Sequence, residues 1–180
     1  MIISPMQKIL IIGIPGAGKS TLSFILAEML DLPLIHLDKH FWNRGWAKTD
    51  EDIWQEKVKK LVLGERWIID GNYNSTLHIR IPPCDTILFF DYPAYLSFWR
   101  ILKRSIFQRH RPRPDMADGC GEHFDFEFYK WIWNFNRRHR PHIFEMLEKH
   151  AAGKKLIVFK RPSGVTRFLD QLRHDPKNRS

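Results

Sequence analysis

The eight residues Gly13-Ile-Pro-Gly-Ala-Gly-Lys-Ser20 satisfy the pattern GxxxxGKS, and they stand in the setting that this pattern requires. The apolar run Lys8–Ile12 before them predicts a buried strand, and Ser20–Leu30 after them has the three- and four-residue apolar spacing of a helix. A glycine-rich turn between a strand and a helix N-terminus lets backbone N–H groups converge on phosphate oxygens, whose charge the helix dipole also favours. Residues 13–20 are therefore predicted to form a phosphate-binding loop, called the phosphate loop below.

Side chains of the phosphate loop have separate predicted roles. Lys19 supplies a positive charge to the outer phosphates of a nucleotide, and the Ser20 hydroxyl is placed to ligate a magnesium ion that bridges them. Thr21 caps the helix or contacts the α-phosphate. The pattern thus predicts ATP and Mg2+ as cofactors, with the nucleotide-binding residues Gly13, Ile14, Pro15, Gly16, Ala17, Gly18, Lys19, Ser20 and Thr21.

Beyond the phosphate loop, short β-rich runs alternate with longer amphipathic stretches. Several of the runs are apolar without interruption, which is typical of a parallel sheet covered on both faces. The alternation predicts a doubly wound α/β domain. The predicted strands are Lys8–Ile12, Leu34–Leu37, Arg66–Asp70, Thr86–Asp91 and Lys155–Lys160, and the predicted helices are Ser20–Leu30, Asp50–Leu63, Ala94–Phe107, Glu122–Asn136, Pro141–His150 and Ser163–Leu172.

Length and composition predict one globular domain over residues 1–180. With 180 residues, 43% of them apolar and 27% charged, the chain can bury one full core but not two, and it is neither a disordered tail nor a fibre. Three parts are expected to stand apart from the core: an N-terminal extension at 1–7, an excursion rich in Pro, Gly, Arg and Asp at 107–121, and a frayed tail at 175–180.

The charge of the chain is uneven along its length. The net charge is +9, yet residues 1–98 carry 10 basic and 11 acidic side chains whereas residues 99–180 carry 19 and 9. A basic half attracts polyanions, which include nucleic acids, acidic membrane surfaces and the phosphates of small ligands. Two cysteines fit a reducing cytosol, and neither a signal peptide nor a membrane span is expected. A monomer and a dimer are both compatible with the sequence.

Further motifs carry a family resemblance: HLDKHFW at 36–42, ERWIIDGNY at 65–73, DTILFFDYP at 85–93, WRILKRS at 99–105 and RPRPDM at 111–116. With the phosphate loop, they resemble the topology-modulation (FlaR-type) proteins, P-loop NTPases similar to adenylate kinase and its small-molecule kinase relatives. The resemblance covers about residues 8–172. It implies a three-layer P-loop NTPase fold: a five-stranded parallel sheet in the order 2-3-1-4-5, helices on both faces, ligand sites at the carboxyl ends of the strands and an arginine-rich lid. It also implies transfer of the ATP γ-phosphoryl group to a small acceptor.

Three carboxylates follow predicted strands. Asp70 matches the aspartate that holds magnesium in kinases of this type, often through water, and Gly71 after it leaves room for an acceptor phosphate or a water. Asp91 ends the next strand, so it stays open as the alternative magnesium anchor, although it also suits a turn before Pro93. Asp38 matches the acid that binds the acceptor hydroxyl in related sugar and shikimate kinases, where it either takes the proton or only orients the acceptor. A turn cap is its structural alternative.

The acceptor side departs from adenylate kinase. That enzyme follows its Asp-Gly with a Pro-Arg pair that fixes the acceptor nucleotide, whereas this chain reads DGNYNSTLHIR over residues 70–80, which puts AMP as the acceptor in doubt. A different acceptor pocket is therefore expected. Its candidate lining residues are Asn72, Tyr73, His78, Arg80, Phe41, Trp42 and Trp46, although aromatic side chains of this kind also serve as packing.

Eight of the 15 arginines fall between residues 100 and 140, and the resemblance places a lid there. Lid arginines in P-loop kinases close over the transferring phosphoryl group and neutralise its developing charge. The candidates are Arg104, Arg109, Arg111, Arg113 and Arg137 or Arg138.

The same half also suggests a nucleotide-dependent regulator that binds DNA or RNA, because seven aromatic residues between 124 and 135 interleave with the basic ones. Against this, Phe124, Phe128, Trp131 and Phe135 recur at helical spacing as one buried stripe, with Phe126 and Trp133 as exceptions. After the fifth strand, the backbone of Pro162, Ser163 and Gly164 is expected to contact the adenine ring.

Overall fold

The computed structural model describes residues 6–107 and 126–174. Its main sheet has five parallel strands, β1 (Lys8–Gly13), β2 (Leu34–His36), β3 (Trp67–Asp70), β4 (Thr86–Phe90) and β5 (Lys155–Phe159). They lie in the order β2-β3-β1-β4-β5. The predicted α/β class, strand number and order 2-3-1-4-5 are therefore confirmed.

The core of the sheet is formed by its three central strands, because their uninterrupted apolar runs are covered by helices on both faces. Ile9–Ile12 are fully buried in β1, and every residue of β3 and β4 is buried. The edge strand β5 differs from the expectation: Leu156 is 42% exposed and Val158 is 36% exposed, so one face of this strand is open to solvent.

Nine α-helices lie among the described residues. Helix α1 begins at Lys19, within the phosphate loop, and ends at Leu30, because the next residue, Asp31, has a left-handed backbone (φ 49°). Helix α3 begins where the Asp50 carboxylate accepts a hydrogen bond from the Asp52 N–H (3.0 Å). The helices are α1 Lys19–Leu30, α2 Leu37–Phe41, α3 Glu51–Leu61, α4 Leu77–Arg80, α5 Ala94–Phe107, α6 Phe126–Trp133, α7 Phe135–Arg138, α8 Arg140–His150 and α9 Pro162–Arg173.

Two local features depart from the predicted elements. A small antiparallel hairpin, Trp42–Asn43 with Ala47–Lys48, follows α2 and was not predicted. The helix predicted over Glu122–Asn136 is broken at Asn134 between α6 and α7, and residues 122–125 lie outside the described part. The predicted buried stripe of aromatic side chains is present only in part. Phe135 is buried, Phe128 and Trp131 are half-buried, and Phe124 lies outside the described residues; the two predicted exceptions, Phe126 (69%) and Trp133 (61%), are exposed.

The domain begins earlier than the sequence indicated. Met6 is buried, and the Gln7 carbonyl accepts a hydrogen bond from the Trp67 N–H (2.8 Å), so these two residues pack on the domain and do not form an extension. Residues 1–5, the excursion from 108 to 121 and the tail at 175–180 lie outside the described residues. Within 6–107 and 126–174, no helix combines the length and apolar character needed to cross a membrane.

Candidate functional site

The phosphate loop joins the carboxyl end of β1, the central strand, to the first turn of α1. Gly16 (φ 74°) and Gly18 (φ 102°) have positive φ angles, which glycine adopts without strain and which help to turn successive N–H groups toward one point. The Lys19 ammonium donates to the carbonyls of Gly13 (3.0 Å) and Ile14 (3.2 Å), which hold it at the loop. The predicted phosphate-binding residues are thus brought together at the carboxyl end of the central strand.

Two contacts fix the start of the loop to neighbouring strands. The Ile14 N–H donates to the carbonyl of Phe90 at the end of β4 (3.1 Å). The Gly13 N–H donates to Oδ1 of Asn72, just after β3 (2.7 Å). Asn72 was predicted to line the acceptor pocket; its amide oxygen instead ties the phosphate loop to the segment after β3.

Asp70 ends β3 beside His36, which ends β2 at the same register position. Both are nearly buried, with 5% and 6% exposure, and His36 Nδ1 lies 3.2 Å from Asp70 Oδ2. Among the described residues, Asp70 Oδ1 and His36 Nε2 are buried without a hydrogen-bond partner. Phe24 packs on the His36 ring at a centroid distance of 4.8 Å. Since Phe24 follows Ser20 by four residues on α1, the two share a helix face, and Asp70 adjoins the face that carries Ser20.

This arrangement fits a magnesium ion. A buried carboxylate oxygen that lacks a partner costs free energy unless a ligand occupies it, and a hard cation prefers carboxylate and hydroxyl oxygens. Asp70 and Ser20 carry oxygens of this kind and would hold the ion. Asp91, the alternative anchor, is engaged differently: its side chain is 8% exposed, and its two oxygens accept from Arg140 Nε (2.6 Å) and Nη2 (2.9 Å). This bidentate pair holds α8 against the end of β4.

Asp38 lies in the first turn of α2, not at the end of β2 as the sequence suggested. Its Oδ1 accepts a hydrogen bond of 2.6 Å from the Tyr73 hydroxyl. Burial raises the pKa of Tyr73, and the negative charge of Asp38 raises it further, so this phenol stays protonated and donates at neutral pH. The Tyr73 ring packs on Phe41 (4.6 Å) and Trp54 (4.9 Å), which fixes the position of the hydroxyl.

The predicted aromatic residues of the acceptor side are brought together next to Asp38. Trp42 lies edge-on to Phe41 (5.0 Å) and to Trp46 (5.2 Å), and both tryptophans are half-buried on the small hairpin. Trp46 has φ 62°, a conformation rare for a bulky aromatic residue. The hairpin thus presents indole rings beside the carboxylate. His78 is exposed on α4.

Arg80 corrects a sequence prediction. It is fully buried rather than open to an acceptor, and it donates to the carbonyls of Gly71 (2.8 Å), Asn72 and Tyr73 (2.8 Å) and to Thr76 Oγ1 (3.2 Å). Burial lowers the pKa of its guanidinium to about 9, which leaves it charged at neutral pH. Arg80 therefore stabilises the segment that carries Asn72 and Tyr73, and its side chain is not exposed to an acceptor.

Gly71 also has a packing role. It has φ 143°, and a Cβ added there would lie 2.8 Å from Leu37 Cβ. The space beside Gly71 was predicted from the sequence to admit an acceptor phosphate or a water, but the Leu37 side chain fills it. The glycine is required so that α2 can approach the end of β3, which brings Asp38 toward Tyr73.

The candidate lid arginines lie on different parts of the molecule. Arg104 is half-buried in the last turn of α5, and Arg137 is exposed on α7, with Arg138 beside it. Arg109, Arg111 and Arg113 lie outside the described residues.

Sequence reasoning did not single out Arg100. Its Nη1 donates to the carbonyl of Ala17 (3.0 Å), and its guanidinium lies 5.9 Å from the centre of the Tyr92 ring. Arg100 lies four residues before Arg104, so the sequence could have indicated that both arginines share one face of α5. Only the fold shows that Arg100 contacts the phosphate loop.

A cavity of about 450 Å³ opens beside the phosphate loop, between α1, α5 and α9. Of the three residues expected near an adenine ring, Pro162 lines it. The cavity is open to solvent and lined in part by apolar side chains, and it reaches the loop at Ala17 and Gly18, so a base bound there can place its phosphates in the loop. Its lining includes Gly18, Thr21, Tyr92, Arg100, Pro162 and Val165.

The sheet order, the loop after β1 and the flanking helices define a P-loop kinase fold, and solved structures agree. A shikimate kinase from Bacteroides thetaiotaomicron is similar with a TM-score of 0.53 and 19% identity, over 93% of this chain and 99% of that one. A shikimate kinase from Acinetobacter baumannii in complex with shikimate gives 0.56 and 13%, over 93% of each chain. No family model and no curated protein matches the sequence. The resemblance to topology-modulation proteins is not confirmed and stays a prediction.

Proposed function

We propose that the protein is a cytosolic phosphotransferase that moves the γ-phosphoryl group of ATP to a hydroxyl or phosphate group of a small acceptor, with Mg2+. The observation that carries the proposal is the grouping of Lys19, Asp70 and Asp38 at one end of a P-loop kinase sheet. Such a group contains a cation for phosphates, a buried carboxylate for a metal and an oriented carboxylate for an acceptor. Fold similarity alone does not establish the reaction.

In this proposal the nucleotide spans two places. Its base lies in the 450 Å³ cavity against Arg100 and Pro162, and its phosphates lie in the loop, where Lys19 contacts the outer two. Ser20 and Asp70 would hold the Mg2+ ion. When bound, that ion neutralises negative charge on the β- and γ-phosphates.

The acceptor lies on the other side of the loop. Asp38 accepts a hydrogen bond from its hydroxyl and takes the proton as the new P–O bond forms, while the bond to ADP breaks. Tyr73 keeps the Asp38 carboxylate in one orientation, and Trp42 contacts the acceptor body. Asn72 acts on the loop and Arg80 on the segment 71–73, so both are positioning residues. Lid arginines, with Arg104, Arg109, Arg113 and Arg137 as candidates, stabilise the transferring charge.

The experiment that tests this function is ADP formation by the purified protein with ATP and Mg2+, alone and with pools of nucleosides, nucleotides, sugars and short oligonucleotides. Stimulation by one pool identifies the acceptor class. If the protein binds ATP but no pool raises ADP formation, the phosphotransferase proposal is contradicted.

Replacing Asp38 by Asn is expected to lower the acceptor-dependent kcat by about 10² to 10⁴-fold, because the amide cannot take the proton. The affinity for ATP is expected to stay within about twofold, since Asp38 lies on the acceptor side. Calorimetric titration of a non-hydrolysable ATP analogue and steady-state kinetics check the two parts. Asp52→Asn, an exposed carboxylate on α3, is the control. An unchanged kcat removes Asp38 from the mechanism.

Replacing Arg100 by Ala is expected to raise the KM for ATP about tenfold with a much smaller change in kcat. The variant removes the guanidinium that lines the cavity, and a cation against the face of a base contributes about 1 to 2 kcal/mol to binding. Lys103→Ala, exposed on the same helix, is the matched control. If the KM for ATP of Arg100→Ala equals that of Lys103→Ala, the nucleotide base does not bind in the cavity beside Arg100.

A second candidate is a nucleotide-dependent regulator that binds DNA or RNA. It is favoured by exposed aromatic residues in the described part of the basic half, among them Trp99 (65%), Phe126 (69%) and Trp133 (61%), since exposed rings among cations stack on unpaired bases. Fluorescence titration with oligonucleotides at increasing salt distinguishes it: a steep loss of affinity together with quenching of tryptophan supports this candidate.

A further inference from the structure

His36 has no role in the phosphotransferase described above, yet it contacts the proposed metal anchor. We propose that His36 is a positioning residue that holds Asp70 in the orientation in which its Oδ1 faces the metal, and so strengthens the dependence of ATP binding on Mg2+. This inference rests on the proposed function.

The two side chains meet because of the sheet register. His36 and Asp70 are partners on the adjacent parallel strands β2 and β3 and leave the sheet on the same face, at its carboxyl end. The 3.2 Å separation of Nδ1 and Oδ2 lets the imidazole N–H donate to one oxygen of the carboxylate. The other oxygen, Oδ1, is the one without a partner among the described residues.

The imidazole itself is held in place. It is 6% exposed, and the Phe24 ring on α1 packs against it at 4.8 Å with an angle of 51°. The helix that presents Ser20 to the phosphates therefore also supports, one turn later, the residue that restrains Asp70. Both proposed metal ligands are linked through a contact between Phe24 and His36.

A restrained carboxylate binds a metal more tightly than a rotating one, because the ion does not have to order it. Hydrogen-bond partners of metal-ligating side chains typically contribute about 10- to 100-fold to metal affinity. A purely structural role for His36 predicts a different result: loss of thermal stability with no specific effect on the metal. The positioning role and the structural role can therefore be distinguished by measuring how strongly Mg2+ increases the affinity for the nucleotide.

The experiment is calorimetric titration of the full-length protein with a non-hydrolysable ATP analogue, with Mg2+ and then with EDTA. The measured quantity is the metal coupling, defined as the ratio of the two dissociation constants. His36→Phe, which removes the N–H donor but keeps a ring, is expected to lower the coupling about 10- to 100-fold. His36→Asn, whose amide nitrogen occupies the place of Nδ1, is expected to restore most of it. His150→Phe is the control.

The outcomes are distinguishable. If Asp70→Asn abolishes the coupling and His36→Phe retains it, His36 is not a positioning residue and the inference is overturned. If the wild-type protein shows no coupling at all, the proposed magnesium site fails and the inference fails with it. Circular dichroism checks folding. If His36→Phe does not fold, His36→Gln replaces it in the test. The glutamine amide N–H lies one bond farther from the backbone than Nδ1 of histidine, so this variant is also expected to lower the coupling.

Discussion

Lys19→Ala is expected to reduce acceptor-dependent ADP formation about 10³-fold. The ammonium group is fixed at the loop by the carbonyls of Gly13 and Ile14, at 3.0 and 3.2 Å, beside the place where the outer phosphates enter. A preorganised cation in a site shielded from water contributes to the transition state far more than a mobile one in solvent, and loss of one such donor costs about 3 to 4 kcal/mol. The methyl group of alanine replaces none of this charge.

The measurement is the initial rate of ADP release with the best acceptor, under saturating ATP and Mg2+. Lys60→Ala, which removes an exposed cation from α3, is purified in parallel and is expected to keep the wild-type rate. Equal rates in the wild type, Lys60→Ala and Lys19→Ala would assign the activity to a contaminating kinase. Thermal unfolding of both variants checks that neither change acts through the fold.

The phosphate loop could be predicted from the sequence because its information is local. Eight consecutive residues with a strand before and a helix after them set the backbone path from Gly13 to Ser20, and no distant partner is needed. The parallel sheet followed from uninterrupted apolar strands separated by helical patterns. Its order came from the family resemblance, since strand patterns alone do not state which strand lies beside which.

The contacts of the candidate site could not be predicted from local sequence. Asp70 and His36 are 34 residues apart, and Asp91 and Arg140 are 49 apart, so each pair depends on the sheet register and on how helices return to it. Asp70 and Asp91 both end an apolar strand and are equivalent in sequence. In the folded chain they differ, because Arg140 pairs with both oxygens of Asp91 whereas His36 contacts only one oxygen of Asp70.

Arg80 shows why a polar residue near a motif is a weak predictor of ligand contact. Its position nine residues after Gly71 suggested an acceptor-binding cation, but α4 turns its guanidinium back onto the carbonyls of residues 71–73. Carbonyls in a tight turn need donors when they are buried, and one planar guanidinium provides several. The sequence contains no local signal that separates these two uses of an arginine.

Replacing Arg80 by Leu is expected to lower the free energy of unfolding by about 3 to 5 kcal/mol, because removing one partner of a buried charged network leaves several carbonyls unpaired. For a domain of this size, that corresponds to a fall in Tm of roughly 10 °C. Activity is expected to fall as well, since the segment that Arg80 folds carries Asn72 and Tyr73, which contact the phosphate loop and Asp38.

Differential scanning calorimetry of wild type and variant measures the change, with Arg167→Leu, exposed on α9, as the matched control. Arg80→Lys adds a second test: a single ammonium cannot reach all the carbonyls that a planar guanidinium bridges, so it is expected to recover only part of the lost stability. If Arg80→Leu melts within about 2 °C of the control and acceptor binding alone is lost, Arg80 contacts the acceptor after all and the segment 71–73 is held by other groups.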